Sequence, residues 1–376
     1  MAFQIAVLKE TQPHEARVAM VPGQVARFER LGAKVAMQTG AGVAARFRDS
    51  DYKDVQFQDD PKALVAGADV VFAVQPPAPE IVAAMKPGTW LLSFVYPQKV
   101  PALLPVLRDH KISSFALETV PRISRAQAMD VLSSQSALAG YYAPLLGAVN
   151  LPRILPMMTT AVGSLRAAQV LVMGLGVAGL QAAATAKRLG AVVEGYDVRP
   201  ETREQAQSVG AKFVDTGIDA VGQGGYAREL TAEEQAKAAA VLTTHIQKAD
   251  LIITTANVPG RKAPQLVSRS QIEGMKSGSV IVDMAADSGC NCEGAVPGQN
   301  VTIGPTLVMA PFNVPSLLAQ HASELYCKNL LNLLELIVKD GAIAPDLSDE
   351  VVSKTLLAHD GKILNPAAAA ILSKEA

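Results

Sequence analysis

Three glycines are the first residues of this chain with the type and spacing to do chemistry. Gly174, Gly176 and Gly179 stand in the order G-x-G-x-x-G, with Val177 inside the turn. An apolar run, Gln169 to Met173, precedes them. A helix-compatible run, Leu180 to Leu189, follows and stops at Gly190. A second apolar run, Val192 to Tyr196, ends on Asp197. Strand, turn, helix and strand in this order bind a dinucleotide. The first glycine permits the tight turn, the second lets backbone approach the pyrophosphate, and the third lets the helix close on the strand. The helix N-terminus offers unpaired N–H groups and a positive dipole end to the phosphates. Asp197, about 20 residues past the glycines, is spaced to accept the adenosine ribose hydroxyls. A carboxylate there repels a 2′-phosphate and favours NAD over NADP, whereas Arg199, two residues on, could receive one.

Two further stretches are dense in functional groups. Pro121 to Tyr142 carries Arg122, Arg125, Gln127, Asp130, Ser133 and Ser134, then becomes helix-like. It reads either as a solvated loop with an Asp or Ser helix cap, or as a loop that grips a carboxamide and a phosphate. Residues 216–236 are irregular, with Gly222, Gly224 and Gly225 beside Tyr226. That is the composition of a closing lid or of a disordered insertion. Cys290 and Cys292 have no histidine nearby to complete a tetrahedral metal site. His14, His110, His245, His321 and His359 are scattered, and none sits in a recognisable nucleophile arrangement. His110 reads as a partner for a helix C-terminus.

The elements that must position these groups follow from composition and order. The chain has 376 residues, long enough for two or three domains. It is 49% hydrophobic and 18% charged, which suits buried parallel sheets. The net charge of -1 gives no electrostatic case for nucleic acid. Three cysteines make no disulfide framework, so a reducing compartment is expected. The N-terminus reads as a strand rather than a signal peptide, and no stretch reads as a membrane span. A mean hydropathy of +0.21 hints at apolar surface covered by a partner.

Short apolar strands at residues 3–8, 34–38, 70–74, 89–95 and 112–118 alternate with helical runs, which means a parallel α/β sheet. The same order recurs in the second half. Arg30-Leu31-Gly32-Ala33 matches Arg188-Leu189-Gly190-Ala191. Ala68-Asp69 matches Ala249-Asp250, and Met85-Lys86-Pro87-Gly88 matches Met275-Lys276-Ser277-Gly278. The fold class expected is α/β, with two Rossmann-like doubly wound parallel-sheet domains and a cleft between them. Only the second carries the glycine fingerprint, and the turn from Lys9 to Arg17 has no glycine. Residues 294–315 read as irregular, and a long apolar helix spans 317–338. The domains expected are 1–131 plus 321–376, and 132–320.

With these residues in view, the chain resembles the NAD(H)-binding component (domain I, the N-terminal region of the alpha subunit) of proton-translocating nicotinamide nucleotide transhydrogenase. PRISRAQAMDVLSSQS, MGLGVAGLQAAATAKRLGA, GGYA, TTANVPGRKAP, MKSGSVIVDMA, and NVPS followed by KNLLN carry the resemblance over nearly the whole chain. It implies an oxidoreductase that binds NAD(H) and passes hydride to or from NADP(H) on a partner component. It also implies a homodimer that works with NADP(H)-binding and membrane-spanning components. Its place would be cytoplasmic, peripheral on the inner face of the cell membrane, with the reaction coupled to proton translocation elsewhere. Transferred by motif, Arg122, Gln127, Asp130 and Ser133 hold the nicotinamide end, and Gln127, the catalytic candidate, reaches toward the second nucleotide. Asp197 holds the ribose, with Arg199 beside it. Gly225 and Tyr226 belong to a mobile lid, and Asn257 lies near the adenine, where a leucine is usual. Phe312 and the segment GSLRAAQ also depart from the family pattern.

Alanine dehydrogenase resembles the same family and is the main alternative. Such an enzyme must protonate and deprotonate its substrate, which takes a lysine and a histidine. Gln75 stands in the segment where the lysine belongs, and Phe94 in the strand where the histidine belongs. Hydride transfer between two nicotinamides needs neither group, only rings held face to face with water kept out. A third reading, an NAD-sensing module without a reaction, leaves the polar loop at the nicotinamide end unexplained.

Overall fold

The computed structural model describes residues 2–218, 228, 230–257 and 262–375. The chain divides into two compact units: unit 1 is 1–135 with 316–376, and unit 2 is 136–315.

Unit 1 begins with β1 (Phe3–Val7), β2 (Ala33–Gln38), β3 (Gln56–Gln58), β4 (Val70–Phe72), β5 (Trp90–Ser93) and β6 (Ser113–Ala116). Alternate side chains along each central strand enter two different cores. Ile5, Val70, Phe72 and Leu92 face one, and Ala6, Val71 and Leu91 face the other. A strand buried on both faces reads as a continuous apolar run, which is why VVF and WLL are apolar throughout. The first core is roofed by the helix Ala319–Ile337, through Tyr326, Leu330, Leu334 and Ile337. The second is covered by the short helices Pro61–Ala66 and Leu103–Asp109.

Unit 2 opens with most of the helix Val131–Asn150, followed by a hairpin, β7 (Met158–Thr160) and β8 (Gly163–Leu165), exposed along its whole length. Its sheet is β9 (Gln169–Met173), β10 (Val192–Tyr196), β11 (Lys212–Phe213), β12 (Leu251–Thr254), β13 (Val280–Asp283), β14 (Asn300–Ile303) and β15 (Thr306–Met309), in the spatial order β11-β10-β9-β12-β13-β15-β14. All neighbours are parallel except β14 and β15. This is the doubly wound arrangement, and the strand order reverses at β9 and β12. The stretch expected to be irregular at 294–315 therefore contains a sheet hairpin. Gly304, at φ +56, makes its turn, and the alternation of buried and exposed residues along Asn300–Ile303 is strand-like. Helix also enters the expected irregular stretch at 216–236. Thr231 and Glu234 form a reciprocal capping box, and the helix Ala232–Lys248 starts there.

The chain returns to unit 1 at Ser316, and after the helix Ala319–Ile337 come β16 (Val338–Lys339), β17 (Ala342–Ile343), β18 (Leu356–His359) and β19 (Lys362–Ile363). The unit 1 sheet is then β19-β18-β6-β5-β4-β1-β2-β3, with β18 antiparallel to β6. Residues 132–135 and 316–320 pack with unit 1 because the side chains of Gln135 and Ser316 bond to Arg17 and Glu15 there. Among the described residues no helix is long and apolar enough to cross a membrane.

Candidate functional site

In unit 2 the glycine turn sits where β9 gives way to the helix Val177–Arg188. Gly174 is in the left-handed region at φ +94, which a side chain would strain. Its carbonyl accepts a hydrogen bond from the Thr255 hydroxyl at 2.8 Å. A Cβ on Gly179 would collide with that same carbonyl, so the third glycine is what lets helix and strand close. Gly140 plays a similar role: a Cβ there would strike the Ala178 backbone, so Gly140 lets the helix Val131–Asn150 approach the start of the glycine-turn helix. Gly176 is different. A Cβ on it would meet nothing within 4 Å, and both Gly176 and Val177 are exposed. Among the described residues the N–H groups of Val177, Ala178 and Gly179 meet no acceptor. The turn thus holds open space in front of free donors at a helix N-terminus, which fits a pyrophosphate.

Asp197 follows β10 directly, beside this turn, and is nearly buried. Its Oδ2 accepts from Leu175 N at 2.7 Å and Arg199 Nη2 at 2.9 Å. Its Oδ1 accepts from Arg199 N at 3.0 Å and Nε at 2.9 Å. These four donors fill the carboxylate's acceptor sites. Arg199 is therefore folded onto Asp197, and its charge is neutralised there rather than offered to a 2′-phosphate. Asn257 is exposed, three residues past β12. Gly225 and Tyr226, the expected lid, lie outside the described residues.

The polar loop belongs to unit 1. Residues Ser124–Met129 form a 3-10 turn, and the helix Val131–Asn150 follows. The long helix Ala319–Ile337 holds this turn from behind, because Asn329 and Asn332 both donate to the Ala128 carbonyl, at 2.8 and 3.0 Å. Arg125 forms a bidentate pair with Asp349, 2.8 Å for each bond, so it is committed within unit 1. Asp130 is the helix cap. Its carboxylate accepts from Ser133 N at 2.9 Å and from Ser133 Oγ at 2.6 Å. Arg122 and Gln127 are exposed, and the Gln127 side chain makes no hydrogen bond among the described residues. Capping and fixation thus account for Asp130, Ser133 and Arg125, while Gln127 is displayed by a braced turn with its amide uncommitted.

Sequence reasoning missed a second constellation, at the turn after β1. The Glu15 carboxylate and Arg17 guanidinium form a buried ion pair at 2.6 Å, with side chains 1% and 4% exposed. Gln75 Nε2 donates to Glu15 Oε2 at 2.7 Å, and the Ser316 hydroxyl donates to Oε1 at 2.7 Å. Glu10 accepts from Val74 N at 2.6 Å and Gln75 N at 3.2 Å. Burial lifts the Glu10 carboxyl to about 8. Burial would also raise Glu15, but the hydrogen bonds and charge of Arg17 outweigh it and hold the carboxyl at about 2. Phe94 is buried and stacks on Tyr96 with ring centres 5.1 Å apart. Gln75 and Phe94 supply no acid or base. The absence of a glycine between Lys9 and Arg17 was the available signal, but charged residues in a loop read as solvated, and Ser316 is 301 residues away from Glu15.

The three cysteines are buried and free. Burial pushes the Cys290 thiol to about 11 and Cys292 well above its ordinary range. Among the described residues no group of histidine, cysteine and acidic side chains could hold a metal.

Comparison with known proteins accords with this geometry. Residues 6–139 match the family described as alanine dehydrogenase/PNT, N-terminal domain, and 143–366 match its C-terminal domain. An NAD(P) transhydrogenase subunit alpha chain of Rhodospirillum rubrum is 42% identical, over 97% of this chain and 98% of its own length. The alanine dehydrogenase of Mycobacterium tuberculosis is 28% identical over 96% and 95%. Among solved structures, the transhydrogenase from Sinorhizobium meliloti aligns at a TM-score of 0.85 and 38% identity, covering 97% of this chain and 99% of that one. An L-alanine dehydrogenase aligns at 0.81 with 24% identity, covering 99% and 100%, which speaks to the fold alone. The chain belongs to the alanine dehydrogenase/PNT family.

Proposed function

We propose that this chain is the NAD(H)-binding component of a proton-translocating NAD(P) transhydrogenase, active together with partner subunits. The observation that carries the reading is the pairing of an open glycine turn in unit 2 with Gln75 and Phe94 in unit 1. The first suits a dinucleotide, and the second leaves substrate acid–base chemistry without its groups. The 42% identity to a transhydrogenase alpha subunit against 28% to an alanine dehydrogenase points the same way.

Bound nicotinamides would supply the hydride donor and acceptor. This chain's role is to bind, orient and exclude water. Gly174, Gly176, Val177 and Gly179 receive the pyrophosphate. Asp197 takes the adenosine ribose once Arg199 yields acceptor sites on its carboxylate. The loop with Arg122, Gln127, Asp130 and Ser133 would hold the dihydronicotinamide, and Gln127 would be its group for the NADP(H) of the partner. Asn257 lies toward the adenine. The exposed apolar side chains Met157, Met158, Val162 and Leu165 on and beside the β7–β8 hairpin support a homodimer, since such a hairpin is a natural pairing surface. Sedimentation equilibrium reads that state. The location proposed is the inner face of the cell membrane, reached through partner subunits.

The deciding experiment is hydride transfer from NADPH to an NAD+ analogue, with and without an added NADP(H)-binding component. Transfer that requires the partner is expected. NADH consumption with pyruvate and ammonia, partner absent, would instead assign amino-acid chemistry. Within the active assembly, Gln127→Asn should slow hydride transfer at least tenfold while NADH affinity changes less than threefold, about the separation expected for a positioning group. Equal loss of both would remove the orienting role.

A further inference from the structure

The edge that backs the glycine turn of unit 2 is tied down by one buried side chain. Beyond β12 the chain runs through Thr255 and Ala256. Thr255 N donates to the Met173 carbonyl at 2.9 Å, and the Thr255 hydroxyl to the Gly174 carbonyl at 2.8 Å. A Cβ on Gly174 would meet Thr255 Oγ1 at 2.9 Å and Ala256 N at 3.1 Å, so this edge lies in direct contact with the turn. The Ala256 carbonyl accepts from Asn291 Nδ2 at 2.8 Å, and the same nitrogen donates to the Pro264 carbonyl at 2.7 Å. Asn291 is itself fixed from the end of β13. Its backbone N–H donates to Asp283 Oδ2 at 2.7 Å, as does that of Cys292 at 2.8 Å, and Asp283 Oδ1 takes Ala285 N at 3.0 Å. The Asn291 carbonyl accepts from Leu266 N at 2.7 Å and Val267 N at 3.2 Å. Asp283 and Asn291 are both 0% exposed. A buried polar strut thus runs from β13 through Asp283 and Asn291 to Ala256, and from there to the glycine turn.

The Asn291 amide is arranged for its donors alone. Its Oδ1 is buried and meets no hydrogen-bond partner among the described residues. A buried acceptor without a donor costs stability, so packing and stability do not account for the choice of residue. The two bonds from Nδ2 do. An ionised aspartate of the same size would turn an acceptor toward two carbonyls and could not replace it. We propose that Asn291 is a positioning residue for the dinucleotide, which rests on the nucleotide reading of unit 2. It holds the Thr255–Ala256 edge, and through it the Gly174 carbonyl, in the geometry in which the turn receives a pyrophosphate. Being fully buried, it acts through Thr255 and Ala256 and not by contact.

The test uses the full chain for calorimetric NADH titrations. Hydride transfer at varied NADH is measured in the assembly with the NADP(H)-binding component. Asn291→Asp keeps the size and removes the donors. Its Kd and KM for NADH should rise about fivefold or more, while the rate at saturating NADH stays within about twofold of wild type. Asp250→Asn is the control for stability alone. Asp250 lies at the opposite end of β12, where it accepts from Gln169 N, Arg153 and Lys276. That variant should melt lower than wild type yet bind NADH as wild type does. If Asn291→Asp is recovered unfolded, Asn291→Ser takes its place, with one hydroxyl proton for two carbonyls and the same split expected. An Asn291 variant that melts lower but binds NADH normally overturns the proposal. So does one whose saturating rate falls with KM unchanged, or an equal loss of affinity in Asp250→Asn. Wild-type chain that binds no NADH would instead overturn the nucleotide reading, and this inference with it.

Discussion

The turn after β1 and the turn after β9 occupy the same place in two copies of one plan. β1 lies between β2 and β4, β9 lies between β10 and β12, and all these pairs are parallel. Each turn therefore stands at the point where strand order reverses, outside the carboxyl ends of the strands, where ligands of such sheets bind. The two points have opposite contents. In unit 2, glycines clear the space and, among the described residues, the first helix N–H groups meet no acceptor. In unit 1, Glu10 takes the backbone N–H groups past β4, and Glu15 takes Arg17. A pyrophosphate would meet donors at the first and carboxylates at the second. Topology makes the crevice in both; a handful of side chains decides whether it is a site.

Substitutions at the glycines should break the comparison most sharply. Gly179→Ala drives a methyl into the Gly174 carbonyl, so the strand–helix contact must open. A loss of about 3 kcal/mol or more in stability is expected, together with loss of NADH binding. Gly176→Ala meets only open space at φ -77, which alanine tolerates. Its melting temperature should stay within about 1 °C of wild type, while NADH affinity falls at least tenfold because the methyl stands where backbone must approach phosphate. Paired melts and NADH titrations separate the two. If Gly176→Ala binds NADH normally, the open space is not a phosphate site.

Asp197→Ala is a smaller step. The carboxylate braces Leu175 N and Arg199, and it is also the ribose acceptor proposed above. Loss of roughly 2 kcal/mol in NADH binding is expected, as for a pair of charge-assisted hydrogen bonds, with little gain in NADPH binding. Unchanged NADH affinity in a calorimetric titration would take Asp197 out of the site. A large gain for NADPH would show that neutralising Arg199 is the residue's main task.

What could be read ahead of the structure follows the same contrast. β9 and β10 were legible to the residue, because an apolar run bounded by glycine and aspartate has few other readings. The open turn was legible because glycine spacing is local. The sealed turn was not, since Glu15 and Arg17 become buried only when Gln75, Gln135 and Ser316 arrive from elsewhere. In the polar loop, sequence could count functional groups but could not divide them. Asp130 with Ser133 is a cap and Arg125 a tie, whereas Gln127 remains on offer. The β14–β15 hairpin was hidden by the glycines and prolines around it, which read as irregularity, although one glycine between two short alternating runs is a turn signal.

The smallest expected effect concerns the two carboxylates of the sealed turn, whose acidities are displaced in opposite directions. Burial lifts Glu10 from 4.5 to about 8, helped by the Glu15 charge and opposed by the Val74 N–H. The folded chain thus keeps a proton that the unfolded chain releases above pH 4.5. Its contribution is complete below pH 4.5 and is lost as pH rises to about 8, so stability declines across that window. Glu15, held at about 2 by Arg17 against the effect of burial, contributes fully above pH 4.5 and loses that contribution as pH falls toward 2. Glu10 is still partly open to solvent, so its share is roughly 1–2 kcal/mol rather than the ~5 kcal/mol that so large a displacement would imply. Glu10→Gln keeps the shape and removes the titration. Its melting temperature should fall less than wild type's between pH 5 and pH 8, by roughly 2–6 °C, while the decline on the acid side stays as it was. Identical slopes in both proteins from pH 5 to 8 would mean that Glu10 ionises freely in the fold. The sealed turn would then be held closed by Glu15 and Arg17 alone.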